Sequence, residues 1–263
     1  EAAKYAAPDE FSNLIQGIGG EGLNAFTAYD VTCYMNSFPA YQMERWLTLY
    51  ADRLTNPIFR SFQAELENVF EEYNMYLDDN STHSRNFIFG KLYEGHAYAR
   101  DIIGYAEDLK NPKLRKLIDF YNTWYVPNNM ALILVGDFDI EATKPLIEKT
   151  FGKLQAHPLP ERTKYPTTAF AQDERYSAKL GYMPELYIAY NGVPVGDKDE
   201  LLLDFLGEIL SNSMQIGLLD ELTLDNKLMY AGAANDVRRD QGRCLVIAVP
   251  YMDAETQTYT SLK

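Results

Sequence analysis

The chain has 263 residues, 46% hydrophobic and 24% charged, which suits one large domain or two ordinary ones with ample material for a core. A formal net charge of −14 speaks against nucleic acid as the main partner, and no stretch approaches the roughly 18 apolar residues of a membrane span. Cys33 and Cys244 are far apart with no CxxC, which argues against a thiolate zinc site. Two buried free thiols are expected, with a single disulfide as the alternative.

Pro8-Asp9-Glu10, followed by Phe11, Leu14, Ile15 and Ile18, predicts a helix with proline at its start, stopped by Gly19-Gly20. Leu23 to Tyr29 and Val31 to Phe38 read as a strand pair around a Tyr29-Asp30 corner. Pro39 opens a helix with Met43, Trp46, Leu47, Tyr50 and Leu54 on one face, ended by Asn56-Pro57. A third helix is expected from about Ser61 to Asp78, then another after a polar break, then the loop "GHAYARDIIGYAEDLKN". Pro112 starts a helix bearing Leu114, Leu117, Ile118, Tyr121 and Trp124, and "MALILVG" reads as a buried strand. Asp139 to Phe151 makes one more helix, closed by Gly152.

Between Gln155 and Glu174 periodicity fades and Pro158, Pro160 and Pro166 accumulate, a linker signature. The expected division is a first domain over 1–157, a linker over 158–174 and a second domain over 175–263. "LYIAYNGVP" is then a strand, and "DKDELLLDFLGEILSNS" a helix with Leu202, Phe205, Leu206, Ile209 and Leu210 inward. "MQIGLLDELTLDN" reads as a further helix, and "KLMYAGAAN" pairs with "RCLVIAVPY" across Arg238 to Gly242. The order strand, proline, amphipathic helix occurs in both halves, which suggests two copies of one α+β unit.

On the third helix, Phe62, Leu66, Val69, Phe70, Tyr73 and Tyr76 form an apolar arc, while Glu67 and Glu71 fall opposite. Glu65 and Glu72 lie within about 20° of each other at the border of that arc. An ionised carboxylate there must be paired, hydrogen-bonded, bound to a metal or able to reach water. The three histidines, His83, His96 and His157, form no HxxxH, HxxH or HExxH pair, so no zinc site is completed by spacing. His96 is expected to pack or cap rather than ligate. Arg238, Arg239 and Arg243 read either as a basic cluster facing substrate or as the dressing of a hairpin turn. "GEGLNAF" has a GxG-like fragment but no following helix to receive phosphate.

"GLNAFTAYDVTCYMNSFP", "LENVFEEYNMYLDD", "GHAYARDIIGYAEDLKN" and "WYVPNNMALILVGDFD" with "FGKL" resemble, in this order, the first domain of the pitrilysin/insulysin family of zinc metallopeptidases. "LLDELTLDNKLMYAGAANDVRRDQGRCLVIAVPY" resembles part of that family's next, homologous domain. The resemblance implies an α+β fold of the pitrilysin and mitochondrial-processing-peptidase type, with two consecutive antiparallel-rich units packed with helices, here truncated at both ends. It implies a zinc endopeptidase of extended peptides, with an inverted HxxEH motif on an upstream helix. Aligning "VFEE" with the family's helix puts the third protein ligand on Glu72 and a supporting acid on Glu65. Asn24, Ala25, Phe26 and Thr27 fall on the strand along which substrate is added, Phe26 lining a side-chain pocket or serving the core. HxxEH is absent from these residues, so the sequence is expected to begin just after it and, as given, to be inactive and without catalytic zinc. The implied partners are a peptide substrate and a second peptidase-fold half or a homodimer. The alternative is a non-catalytic subunit of the same fold. The compartment is not encoded, and a bacterial periplasm or cell envelope suits the acidic, cysteine-poor chain.

Overall fold

In the computed structural model, the described residues are 9–110, 112–166, 168–181 and 183–252. They divide into two compact units, one holding the residues up to Asn74 with Ile103–Thr163, the other Met75–Ile102 with the residues from Lys164 onward.

In the first unit, α1 (Glu10–Gly17) ends where the sequence places its glycines. Gly19 takes φ +80°, its N–H donates to the Gln16 carbonyl, and the Gly20 N–H reaches back to Ile15. This is a Schellman closure, and a side chain at Gly20 would lie 2.5 Å from the Ile15 side chain. Pro8, expected at the helix start, lies outside the described residues. The chain then forms β1 (Glu21–Thr27) and β2 (Thr32–Ser37), an antiparallel pair running from Glu21 opposite Ser37 to Thr27 opposite Thr32, with a register shift between Glu21 and Asn24. A short 3-10 turn after Pro39 leads into α2 (Met43–Thr55).

Ile15, Ile18, Met43, Trp46, Leu47 and Tyr50 make the core, with Phe38, Leu134, Phe138, Leu146 and Ile147 packed against it. Asn36 of β2 reaches into this core, its side-chain oxygen accepting from Trp46 Nε1 at 3.0 Å and from the Tyr50 hydroxyl at 2.7 Å. Such a satisfied polar peg ties the strand pair to α2. Helix α7 (Ile140–Thr150) packs on α2 and is capped by Asp139, whose Oδ1 accepts from the Ala142 N–H at 2.9 Å. Asp139→Ala should lower stability by about 1 kcal/mol, seen as a lower urea midpoint. An unchanged midpoint would mean that packing alone holds the helix start.

Four expectations about elements and their faces are corrected. "MALILVG" is not a buried strand: residues 130–135 have no strand assignment, and Ile133 and Val135 are 78% and 92% exposed. A continuous apolar run becomes a buried strand only between neighbours that take its backbone groups, and no described strand pairs with it. Helix α3 (Phe62–Leu77) forms within one residue of its expected ends, yet none of its residues is buried. Its apolar arc is half-buried from Phe62 to Tyr73, and Tyr76 is exposed. Helix α4 (Asn80–Leu92) follows almost directly, started by Asp79, which accepts from the Ser81 N–H and hydroxyl. The remaining helices of this half are α5 (Ala106–Lys110) and α6 (Leu114–Trp124).

The second unit is built on a three-stranded antiparallel sheet in the order β3 (Leu186–Asn191), β5 (Arg243–Pro250), β4 (Leu228–Asp236). Gly242 closes the β4–β5 turn, where a Cβ would sit 2.4 Å from the Val193 carbonyl oxygen. The third correction concerns α8 (Glu200–Leu210), which packs on β4. Leu202, Phe205, Leu206 and Ile209, expected inward, are exposed, whereas Leu203, Gly207 and Leu210 are half-buried. Glu200, Asp204 and Glu208 line one side of the helix, so periodicity marks the wide apolar arc opposite them. The centre of that arc is uncovered among the described residues, and the flank carrying small Gly207 is the half-buried one. The expected helix over 214–226 is reduced to α9 (Asp220–Leu224). No helix among the described residues is long and apolar enough to cross a membrane.

Candidate metal and peptide site

Glu65 and Glu72 stand on α3, both exposed, two helical turns apart and so about 10 Å along the axis. The arc beside them is half-buried, so they border an apolar face open to water rather than a sealed core. On the other side of the helix, Glu67 accepts from Gln63 Nε2 at 3.2 Å. A carboxylate oxygen is a donor that zinc accepts, but one or two acids do not complete a three-ligand centre. No group of three His, Cys, Asp or Glu that could hold a metal occurs among the described residues.

Asn24, Ala25, Phe26 and Thr27 all lie on β1, every residue of which is exposed. Phe26 is 49% exposed, which decides against an ordinary core side chain. Ala25 and Thr27 share a face with Tyr34 and Thr32, their partners in register, while Asn24 and Phe26 share the other with Met35 and Cys33. Among the described residues β1 pairs only with β2, so its outer edge presents unpaired backbone groups.

The other singled-out residues are structural. His96 is buried, its Nδ1 accepts from the Tyr98 N–H at 3.1 Å, and its Nε2 is 3.6 Å from Asp240. That is the capping role expected of it. Arg238 and Arg243 are 7% and 1% exposed, which decides for the hairpin over a cluster facing substrate. Arg238 Nε donates to Asp236 at 2.8 Å, and Asp236 also accepts from the Tyr93 hydroxyl at 2.8 Å. Burial, then the Asp236 charge, hold the Tyr93 phenol well above the ordinary tyrosine range. Cys33 and Cys244 are free and only half-buried, and burial raises the Cys244 thiol. The sequence reading passed over Tyr34 and Tyr125, whose hydroxyls meet at 2.8 Å across 91 positions; no local spacing signals such a pair.

The family models match along almost the whole chain. Residues 1–106 match "Insulinase (Peptidase family M16)" and residues 113–250 match "Peptidase M16 inactive domain". The chain belongs to peptidase family M16. The resemblance carried by the NAFT strand and the VFEE helix is thus borne out. Zinc protease PqqE of Helicobacter pylori is 24% identical over 259 residues, 94% of this chain and 57% of that relative. A solved protease from Helicobacter pylori matches with a TM-score of 0.78 and 24% identity, over 91% of this chain and 60% of its own. The periplasmic protease PqqL from Escherichia coli matches with a TM-score of 0.73 and 20% identity, over 92% of this chain and 28% of its own. The fold is therefore the α+β M16 peptidase fold. The chain spans little more than half the length of the first of these relatives.

Proposed function

We propose that this M16 chain is part of a zinc-dependent endopeptidase that hydrolyses extended peptides. The observation that carries the reading is one unit holding both an exposed strand with an open edge and the helix bearing Glu72. Glu72 would be a protein ligand of zinc, the other two coming from an HxxEH helix outside the described residues. Glu65 would orient a neighbouring ligand by accepting its hydrogen bond. Zinc, when bound, supplies Lewis-acid polarisation and an activated water. Asn24 to Thr27 would hold the peptide as an added strand through backbone hydrogen bonds, with Phe26 contacting a side chain. A second peptidase-fold half or a second copy would complete the binding chamber, and the periplasmic relative supports the same compartment here.

A second reading, a non-catalytic subunit that holds substrate or assembles with a partner, is favoured by the match of residues 113–250 to an inactive-domain model. A quenched fluorescent peptide separates the two. The natural-length protein should cleave it, lose that activity on chelation and regain it with added zinc. Absence of cleavage with zinc in excess supports the second reading, and cleavage indifferent to chelation contradicts the first.

A further inference from the structure

The β1–β2 pair buries almost nothing of itself: all seven β1 residues are exposed, and on β2 only Cys33 and Asn36 are half-buried. An isolated two-stranded hairpin is marginal in water. Something must hold it extended if its edge is to receive a peptide, and the structure offers two anchors. One is Asn36, accepting from Trp46 and Tyr50 near the open end of the pair. The other is a chain of aromatic contacts nearer its middle. The Tyr34 hydroxyl on β2 meets the Tyr125 hydroxyl at 2.8 Å, and the rings approach edge to face with centroids 6.3 Å apart. Tyr125, just past the end of α6, stacks on Tyr121 at 4.5 Å and 17°. The Tyr121 hydroxyl donates to the Leu54 carbonyl of α2 at 2.8 Å, and the Arg53 guanidinium lies over the Tyr34 ring at 5.4 Å. Helix α2, helix α6 and strand β2 are thereby strutted together. Burial, then the hydrogen bond to Tyr34, hold the Tyr125 phenol above the ordinary tyrosine range, so its hydroxyl keeps its proton near neutral pH.

We propose that Tyr125 is a positioning residue for peptide capture: its hydroxyl fixes Tyr34 on β2, and through the Ala25–Tyr34 register it holds the β1 edge ready for an incoming strand. The inference rests on the reading of β1 as the peptide edge. A pre-organised edge binds more tightly because the cost of ordering it has already been met in folding. Neither tyrosine needs to touch the peptide.

The test uses the natural-length protein and a dye-labelled peptide of about a dozen residues with alternating apolar side chains, in chelator so that binding is read without cleavage. Tyr125→Phe should weaken binding about 5- to 10-fold, the size of one or two lost hydrogen bonds, since its hydroxyl meets both Tyr34 and the Thr32 side chain of β2. Tyr34→Phe should weaken it by no more than that, and the double variant should lose little beyond Tyr125→Phe alone, since the Tyr34–Tyr125 bond is common to both. The β1 and β2 amides of Tyr125→Phe should exchange faster with no peptide present, while the α2 amides and the thermal midpoint hold. Equal binding by wild type and Tyr125→Phe overturns the strut and leaves the edge reading in place. Binding losses that add fully in the double variant also overturn it. No binding by the wild type overturns the edge reading and the role of Tyr125 with it.

Discussion

Exchanging Arg243 for methionine is expected to destabilise the second unit by about 3 kcal/mol. The residue is 1% exposed, and three of its four hydrogen bonds among the described residues run to backbone carbonyls. Nη1 donates to the Gly242 carbonyl at 2.9 Å, and Nη2 to the Leu92 and Thr168 carbonyls at 2.8 and 2.7 Å. Nη2 also meets the Thr168 hydroxyl at 2.6 Å, and the cation faces the rings of Tyr93 and Phe170 at 4.8 and 4.7 Å. A buried charge paired with a carboxylate can often be replaced by an apolar side chain at little net cost, because both charges leave together. Here the acceptors are main-chain carbonyls, which no substitution at 243 removes. The Gly242 carbonyl keeps the Gly192 N–H at 3.0 Å and the Leu92 carbonyl keeps the Thr168 hydroxyl at 3.3 Å. The loss therefore falls on the Thr168 carbonyl, at about 1–3 kcal/mol, and on the charge-assisted bonds and ring contacts that go with the guanidinium. Two terms act the other way. Methionine ends the desolvation that lowers the pKa of Arg243, and it removes a buried Nε with no partner among the described residues. The net should appear as a thermal midpoint lower by about 6–12 °C. Arg243→Lys should recover little, since one ammonium cannot span the fork that reaches Leu92, Thr168 and Gly242 together. A loss under about 1 kcal/mol would show that the strands and rings hold this junction without the cation.

In the natural-length protein, Glu72→Gln should lower kcat/KM by at least about a hundredfold, while Glu65→Gln lowers it by about 10- to 100-fold. Glutamine keeps the length and one oxygen donor but removes the charge that would hold a divalent cation in the proposed site. The helix itself should be unaffected: both positions are exposed, and Glu and Gln have nearly equal helix propensity. A matched circular-dichroism melt therefore separates chemistry from folding. Should Glu65→Gln leave kcat/KM unchanged, Glu65 is an ordinary surface acid and its orienting role is withdrawn.

Much of the fold was legible in local sequence because its signals are local. The Gly19-Gly20 stop, the Asp139 cap, the hairpin around Gly242 and the ends of α3 depend on residues a few positions apart. Apart from the helix expected over 214–226, which forms only over Asp220–Leu224, the readings that failed concern what covers an apolar surface. Residues 130–135, the arc of α3 and the Leu202–Phe205 face of α8 each disfavour water, but the surface that would cover them is encoded far away or on no described residue. The candidate site divides in the same way. The roles of Asn24 to Thr27 and Glu72 are proposals that rest on motif resemblance, whereas the Tyr34–Tyr125 contact joins positions 91 apart and has no local signal. For Arg243 the sequence leaves a basic cluster and a hairpin turn both open, because it shows the charge and not the carbonyls that enclose it.

The central claim, a zinc peptidase with Glu72 as a ligand, is tested most directly by metal content. Elemental analysis would compare the natural-length protein with its Glu72→Gln and Glu65→Gln variants at equal free zinc. The account predicts about one zinc per chain in the wild type, most of it kept in Glu65→Gln and at least tenfold less in Glu72→Gln. Undiminished zinc in Glu72→Gln would contradict the ligand assignment. A natural-length protein without zinc would contradict the peptidase account itself and leave a peptide-holding partner built on the M16 fold.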